Sequence, residues 1–167
     1  MIMNRRKFSC CMDSRSKYIT SATVLLVALG VAAMYFLSAG DYLPAWSLLF
    51  MLTLGALCAL SVPRFVRLSE TAVEIHCTVE ITELPYDMIR SVRMLPDRTK
   101  FVPLVASFGF FGYFGFYLDV ENWDIVRLYS GSMRSLVEIE DIFERRYAVG
   151  VADPQAFVEA LRPYVRS

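Results

Sequence analysis

Histidine and regularly spaced cysteine are scarce in this chain of 167 residues. His76 is the single histidine, and the four cysteines form neither a CxxC nor a CxxCH motif. A zinc site or a disulfide framework requires ligands or thiols at recurring spacings, so we predict no metal, no cofactor and no disulfides. Cysteines without such spacing are also typical of a reducing compartment.

Catalytic motifs are missing as well. No nucleophile elbow accompanies the single histidine, so a Ser-His-Asp site has no support. Glu138 and Glu140 share one strand face, and the arginines that follow them, Arg145 and Arg146, predict an ordinary solvated charge cluster. A phosphate-binding loop is equally unsupported, because neither GxGxxG nor a Lys-Ser/Thr pair is present. We therefore predict that the chain is not an enzyme and has no catalytic residues.

Charged residues are absent from two long runs near the start, residues 18–40 and 42–63, with only Asp41 between them. A transmembrane helix needs about 20 mostly apolar residues, so each run is long enough to cross a bilayer. Two fully buried core helices are the soluble alternative, but residues 64–167 are too few to enclose two helices that are apolar on every side. The sequence predicts a two-helix transmembrane hairpin over residues 18–63, with the lipid bilayer as a partner.

Basic residues lie before the first run and after the second run, but not between the two. Five lie in residues 1–17 against one acidic residue, Asp13, and Arg64 and Arg67 follow the second run, whereas the connector has none. Lys and Arg near membrane ends favour the cytoplasmic side. The first run is longer than a signal-peptide core of about 7–15 residues, which favours an uncleaved anchor. We predict a multi-pass protein of the cytoplasmic membrane, with a basic cytoplasmic leader at residues 1–17 and both termini in the cytoplasm.

Alternating apolar residues replace the continuous runs in residues 64–167. Val73 and Ile75 alternate with polar neighbours, which is typical of a half-buried strand, and similar alternation recurs along the segment. Asp153 then offers a helix N-cap, with Pro154 at the first helical position. The order predicts an α+β membrane protein, in which the hairpin precedes a small β-barrel or sandwich of about seven strands with a C-terminal helix that caps one open end.

Three segments within residues 64–165 resemble bacterial proteins with a pleckstrin-homology-like (bacterial PH) domain. They are the strand entry at 86–92 (YDMIRSV), the glycine-aromatic segment at 108–115 (FGFFGYFG), and the last strand with its helix start at 147–157 (YAVGVADPQAF). Gly150 departs from the pattern, since serine or threonine is commoner there. The resemblance implies a PH-like barrel, built as a meander of strands with a closing helix and without established catalytic residues. It supplies no ligand.

Aromatic residues and glycines make up the segment at 108–117, where seven of ten residues are aromatic. Aromatic side chains offer large apolar contact areas at little entropic cost, and glycine allows close backbone approach. If exposed, the segment would contact a partner or the membrane interface; if buried, its rings would fill the barrel. The candidate partner or membrane contacts are Phe108, Phe110, Phe111, Tyr113 and Phe114.

Basic residues of the second part are densest between residues 90 and 100. In PH folds generally, a basic loop between early strands can hold a phosphorylated headgroup, which suggests anionic-lipid binding. Asp87 and Asp97 interrupt the group, so solubilising charges are the simpler interpretation. Nucleic-acid binding needs several unopposed cations and is not expected. The candidate anionic-group contacts are Arg90, Arg93, Arg98 and Lys100.

Three functions remain compatible with the sequence. The first is a membrane-anchored interaction or scaffold module that binds a protein partner or assembles with itself. The second is a sensor of anionic lipid or of the membrane surface, and the third is an accessory subunit of a membrane enzyme or transporter. Small residues in both apolar runs permit close helix packing or oligomers. They are Gly30, Ala32, Ala33, Gly55, Ala56 and Ala59.

Overall fold

The computed structural model describes residues 6–10, 12–37, 42–97 and 99–165. Two long helices, α1 (Ser14–Leu37) and α2 (Leu43–Leu60), lie in the first part of the chain. By length and composition, both are long and apolar enough to cross a membrane. At 1.5 Å per residue they extend about 36 Å and 27 Å. Almost none of either helix is buried against the rest of the protein, so they are not core helices of the sheet domain.

Helix α1 begins four residues before the predicted start at residue 18, because a capping residue precedes it. Asp13 Oδ1 accepts a hydrogen bond from Ser16 N–H at 2.7 Å, and the Asp13 carbonyl accepts one from Lys17 N–H at 3.1 Å. Such a cap satisfies amides of the first helical turn and places a negative charge where the helix dipole favours it. The polar first turn therefore belongs to the helix although it is not apolar.

The described residues form ten strands in two sheets. The four-stranded sheet has the spatial order β1 (Lys7–Ser9), β2 (Pro63–Leu68), β3 (Ala72–Cys77), β4 (Ile81–Pro85). The six-stranded sheet has the order β5 (Ile89–Met94), β9 (Leu136–Asp141), β10 (Arg146–Gly150), β8 (Asp124–Ser130), β7 (Tyr113–Asp119), β6 (Phe101–Phe108). The prediction of about seven strands is too low, since nine follow helix α2 and β1 joins them from the N-terminal segment.

Strand β10 lies between β9 and β8 and runs parallel to β8, so the six-stranded sheet is not a simple meander. In this parallel pair, Arg146 is opposite Val126 and Val149 is opposite Tyr129. The implied meander of strands is therefore corrected at this point. Side-chain alternation has a period of two in parallel and antiparallel strands alike, which explains why the sequence pattern does not reveal the pairing.

The main core lies between the four-stranded sheet and one face of β5, β9, β10 and β8. Helix α3 (Pro154–Leu161) closes it with Phe157 and Leu161, which are fully buried. Asp153 caps this helix, because its Oδ1 accepts a hydrogen bond from Ala156 N–H at 3.0 Å. The predicted C-terminal helix is confirmed, including its Asp-Pro start.

Strands β6 and β7 extend beyond the four-stranded sheet, and we call these two strands the overhang. Side-chain contacts from that sheet reach β8, where Thr82 Oγ1 lies 3.0 Å from Tyr129 Oη. Within the described chain, no residue of β6 or β7 belongs to the main core. A second apolar cluster, which includes the buried Tyr113 and Tyr117, covers the opposite face of the overhang. One face of β6 and β7 is therefore left open.

Candidate functional site

The turn between β6 and β7 is held on helix α1 by hydrogen bonds. Ser16, which is fully buried, donates from Oγ to the Gly109 carbonyl at 2.7 Å. Phe111 N–H donates to Thr20 Oγ1 at 2.8 Å. A Cβ on Gly109 would lie only 2.7 Å from Ile19 Cδ1, so the turn and the helix are in close contact. The glycine-aromatic segment is thus attached to the first turns of α1.

Further contacts place both long helices at one end of the strands. Asp13 N–H donates to the Gly131 carbonyl, in the turn after β8, at 3.1 Å. Cys10 N–H donates to the Arg64 carbonyl at 3.0 Å, beside the pairing of β1 with β2. The opposite ends of β7 and β8, where Asp119 pairs with Asp124, lie about 20 Å away, the length of a strand of seven residues. The long axes of strands β6 to β8 therefore extend away from the ends of the helices.

The five predicted aromatic contacts differ in how deeply they are buried. Tyr113 is buried in the second cluster, and its ring meets that of Phe108 edge to face at 5.7 Å. Phe108 is about half exposed, while Phe110, Phe111 and Phe114 are partly buried. Of the five predicted contacts, one ring fills a core and the other four border a surface.

An apolar groove of about 410 Å³ lies beside the carboxyl end of α2. It is lined by Cys58, Val105, Ala106, Ser107, Phe108, Phe110, Phe114 and Gly115. Ser107 contributes the single hydroxyl of this lining, which already donates to the Phe110 carbonyl at 2.5 Å and approaches the Gly112 carbonyl at 3.3 Å. The groove therefore offers apolar walls, with no free hydroxyl and no charged group among its lining side chains.

The open face of the overhang is apolar and continues from this groove through Val105. Cross-strand partners point to the same side of a sheet, so the register defines two rows of neighbours. These rows are Val102–Leu118–Ile125 and Val105–Phe116–Arg127. Val105 is 76% exposed, and Val102, Phe116 and Ile125 are 46%, 46% and 53% exposed. We call the apolar members of the two rows, Val102, Val105, Phe116, Leu118 and Ile125, the overhang face.

Arg127 borders the overhang face on strand β8. Its Nη2 donates to Glu80 Oε1 at 3.3 Å, and its guanidinium lies 5.6 Å from the centre of the Phe116 ring. An arginine over an aromatic ring is attracted to the electron-rich ring face. The arginine is therefore paired by a carboxylate and stacked on a ring, and it leaves no net charge at this edge of the face.

The predicted basic group is not gathered into one site. Arg90 and Arg93 lie on β5, at the opposite edge of the six-stranded sheet from β6, which Lys100 directly precedes. Arg90 Nη1 lies 3.5 Å from carboxylates of both Glu140 and Glu144. Arg93 Nη2 lies 2.7 Å from Glu138 Oε1. Arg98, the fourth predicted contact, lies outside the described residues.

The prediction of a solvated cluster around Glu138 is wrong. Glu138 and Asp119 are each 1% exposed, and Arg146 between them is 7% exposed. Arg146 Nη2 donates to Glu138 Oε2 at 2.5 Å and to Asp119 Oδ2 at 2.8 Å. Burial alone would raise the pKa of Asp119, but hydrogen bonds from Asn122 and Arg146 hold it below its usual value. The carboxylates are buried because arginine, rather than water, compensates their charge.

The family model for the bacterial PH domain matches residues 64–164, more than half of the chain. The chain belongs to the bacterial PH domain family. No curated protein and no solved structure matches it. The resemblance noted in the sequence is thereby confirmed, and PH domains are generally non-catalytic interaction modules.

The overhang face of this bacterial PH domain is the feature that the sequence reasoning did not single out. A signal for it exists at Pro103, which lies within an apolar run from Val102 to Val105. Proline cannot donate a ladder hydrogen bond and is therefore confined to edge strands and bulges. Strand β6 is an edge strand, and its register with β7 shifts between Pro103 and Val105. An apolar run around a proline therefore indicated an exposed edge of the sheet.

Proposed function

We propose that this protein is a membrane-anchored interaction module whose PH-like domain docks a protein partner through the overhang face, at the cytoplasmic side of the membrane. The observation that carries the proposal is an exposed, apolar sheet face next to the ends of two long apolar helices. The family supports a binding role, because PH domains are generally non-catalytic interaction modules. An accessory subunit of a larger membrane complex would be one form of such a module.

Anchoring is supported by the character of the two helices. Both are long and apolar enough to span a bilayer, and nearly all of their side chains lie outside the protein interior. Aromatic side chains of the kind found at membrane interfaces are exposed near one end of the hairpin, at Tyr35, Tyr42 and Trp46. Basic residues lie at the other end, which supports a cytoplasmic location for that end and for the domain.

A fixed position of the domain relative to the helices is supported by short connections. Only two residues separate Leu60, at the end of α2, from Pro63, at the start of β2. The turn between β6 and β7 is attached to α1 through Ser16 and Thr20. Strand β1 adds a further link, because it precedes α1 in the chain and pairs with β2, which follows α2. Held in this way, the overhang face would be presented at a constant height above the membrane.

Docking through the overhang face is supported because its exposed apolar side chains form one continuous patch. Exposed apolar residues that occur singly are ordinary on any protein surface, whereas contiguous apolar patches mark interaction sites. Here the exposed side chains are cross-strand neighbours, as in the pairing of Val105 with Phe116. Covering such a face removes apolar area from water, at roughly 25 cal/mol per Å².

The lipid-sensor alternative has less support. Recognition of anionic headgroups needs cations that are free to meet phosphate. Arg90 and Arg93 instead lie beside carboxylates of Glu138, Glu140 and Glu144. A headgroup at this position would have to displace these carboxylates.

Thiol labelling tests the docking proposal in native membranes. A Val105→Cys variant is compared with Glu159→Cys, an exposed position on α3, and the intact chain gives the background from its four native cysteines. If a partner covers the overhang face, we expect the thiol at position 105 to react roughly tenfold or more slowly than the thiol at position 159. Detergent that dissociates complexes should abolish the difference.

Two outcomes would count against docking. Equal labelling rates at positions 105 and 159 in native membranes would mean that the face is uncovered. Equally slow labelling at position 105 in the purified chain, highly diluted in lipid vesicles, would mean that lipid alone covers it.

A further inference from the structure

We propose that the partner on the overhang face is a second copy of this chain, which docks the same face about a two-fold axis. This inference rests on the proposed function, because it names the occupant of the docking face. Three observations support it: the charge balance of the face, its missing covering layer, and the position of the helices.

Charge balance favours contact between like surfaces. Two identical faces brought together place like charges near each other, unless each face is neutral. Among the residues that define the two rows, Arg127 is the one charged side chain, and Glu80 of the same molecule pairs with it at 3.3 Å. A face with apolar residues and one internally paired arginine therefore does not repel a copy of itself. A partner selected by charge would need an unbalanced charge, which the residues of the two rows do not provide.

The missing covering layer of the face suits a second sheet. In the same molecule, the four-stranded sheet already packs on β5, β9, β10 and β8, while β6 and β7 have no covering layer on that side within the described chain. Sheets that pack face to face lie about 10 Å apart, with strand directions within about 30° of each other. Two overhangs packed in this way would supply each other with the missing layer.

The position of the helices favours this arrangement over edge-to-edge pairing of two β6 strands. The anchor helices contact the strands at one end, where Ser16 holds Gly109. A two-fold axis along the strand direction keeps both pairs of helices at the same end, as one membrane requires. Edge-to-edge antiparallel pairing of two β6 strands needs an axis perpendicular to the strands, which would send the helices to opposite ends. Pro103 and the adjacent register shift also interrupt the β6 edge.

Co-purification of two differently tagged full-length copies from one membrane tests the inference. We expect the two tags to purify together from mild detergent. Val105→Lys, which would bury a charge against the apolar face of the second copy, should reduce the co-purified fraction by roughly tenfold or more. Glu159→Lys, an exposed change on α3, should leave it unaltered. Because the side chain of Val105 is exposed, the variant should retain its unfolding temperature, which circular dichroism checks.

Three results separate the possible failures. Co-purification that persists in Val105→Lys would place any self-contact elsewhere and overturn the inference. Absence of co-purification, together with slow labelling of the Val105→Cys variant in native membranes, would replace the second copy by another protein and leave the proposed function intact. Absence of both co-purification and slow labelling would overturn the inference and the proposed function together.

Discussion

Replacement of Arg146 by methionine is expected to lower the free energy of unfolding by about 3–5 kcal/mol, the usual cost of removing one partner from a buried ion pair. Arg146 lies between Glu138 and Asp119, and both carboxylates are almost completely buried. Methionine fills a similar volume but leaves two carboxylates without their shared donor. The remaining cation near Glu138 is Arg93, which does not contact Asp119 in the described structure.

Thermal and denaturant unfolding of the full chain in detergent, followed by circular dichroism, measures this loss. Arg90→Met is the matched control, because Arg90 is mostly exposed and lies 3.5 Å from each of its carboxylates. An exposed ion pair contributes about 0–1 kcal/mol, so the control should unfold nearly as the intact chain does. Similar losses in the two variants would contradict the proposed importance of the buried network.

Gly115→Ala is the second substitution with a large expected effect. Gly115 adopts a φ of +113°, which side-chain-bearing residues rarely adopt. An added Cβ would lie 2.5 Å from the Val105 carbonyl oxygen and 2.7 Å from Ala106 Cα, both on the neighbouring strand β6. Backbone atoms cannot move aside as a flexible side chain can. We expect a loss of about 1–3 kcal/mol from the conformational strain, with displacement of β6 in addition.

Hydrogen–deuterium exchange of the full chain in detergent localises this effect. Amides of β6 and β7 that pair with each other should exchange faster in Gly115→Ala, because the alanine separates these strands. Gly55→Ala is the control, since a Cβ at Gly55 meets no atom within 4 Å and the residue lies within α2. Unchanged exchange in the overhang of Gly115→Ala would contradict the close approach of β6 and β7 at this glycine.

Local signals in the sequence are sufficient for several elements. Asp153 and Pro154 mark the start of α3, because a cap and a proline act within one helical turn. The two charge-free runs give α1 and α2, and α1 differs from its prediction chiefly in the polar turn that Asp13 caps. The bacterial PH resemblance is equally local, since it depends on short segments.

Non-local pairing explains what the sequence does not reveal. The burial of Glu138 depends on Arg146 from β10 and Asp119 from β7, which the sheet brings together. Nothing in the spacing of these three residues along the chain predicts that they form one buried ion-pair network. The overhang exists because the four-stranded sheet stops over β8, and no residue pattern within β6 or β7 states how far another sheet reaches. Only the assembled sheets distinguish the buried Tyr113 from the exposed Val105.

Site-specific photocrosslinking from position 105 in native membranes tests most directly whether the overhang face docks a protein. A photoreactive residue replaces Val105, and the same residue at Glu159 on α3 serves as the exposed control. We predict one discrete protein adduct from position 105 and none from position 159, with the mass of two chains if the second copy is the partner. Adducts to lipid alone at position 105, or the same adducts at both positions, would contradict docking through the overhang face.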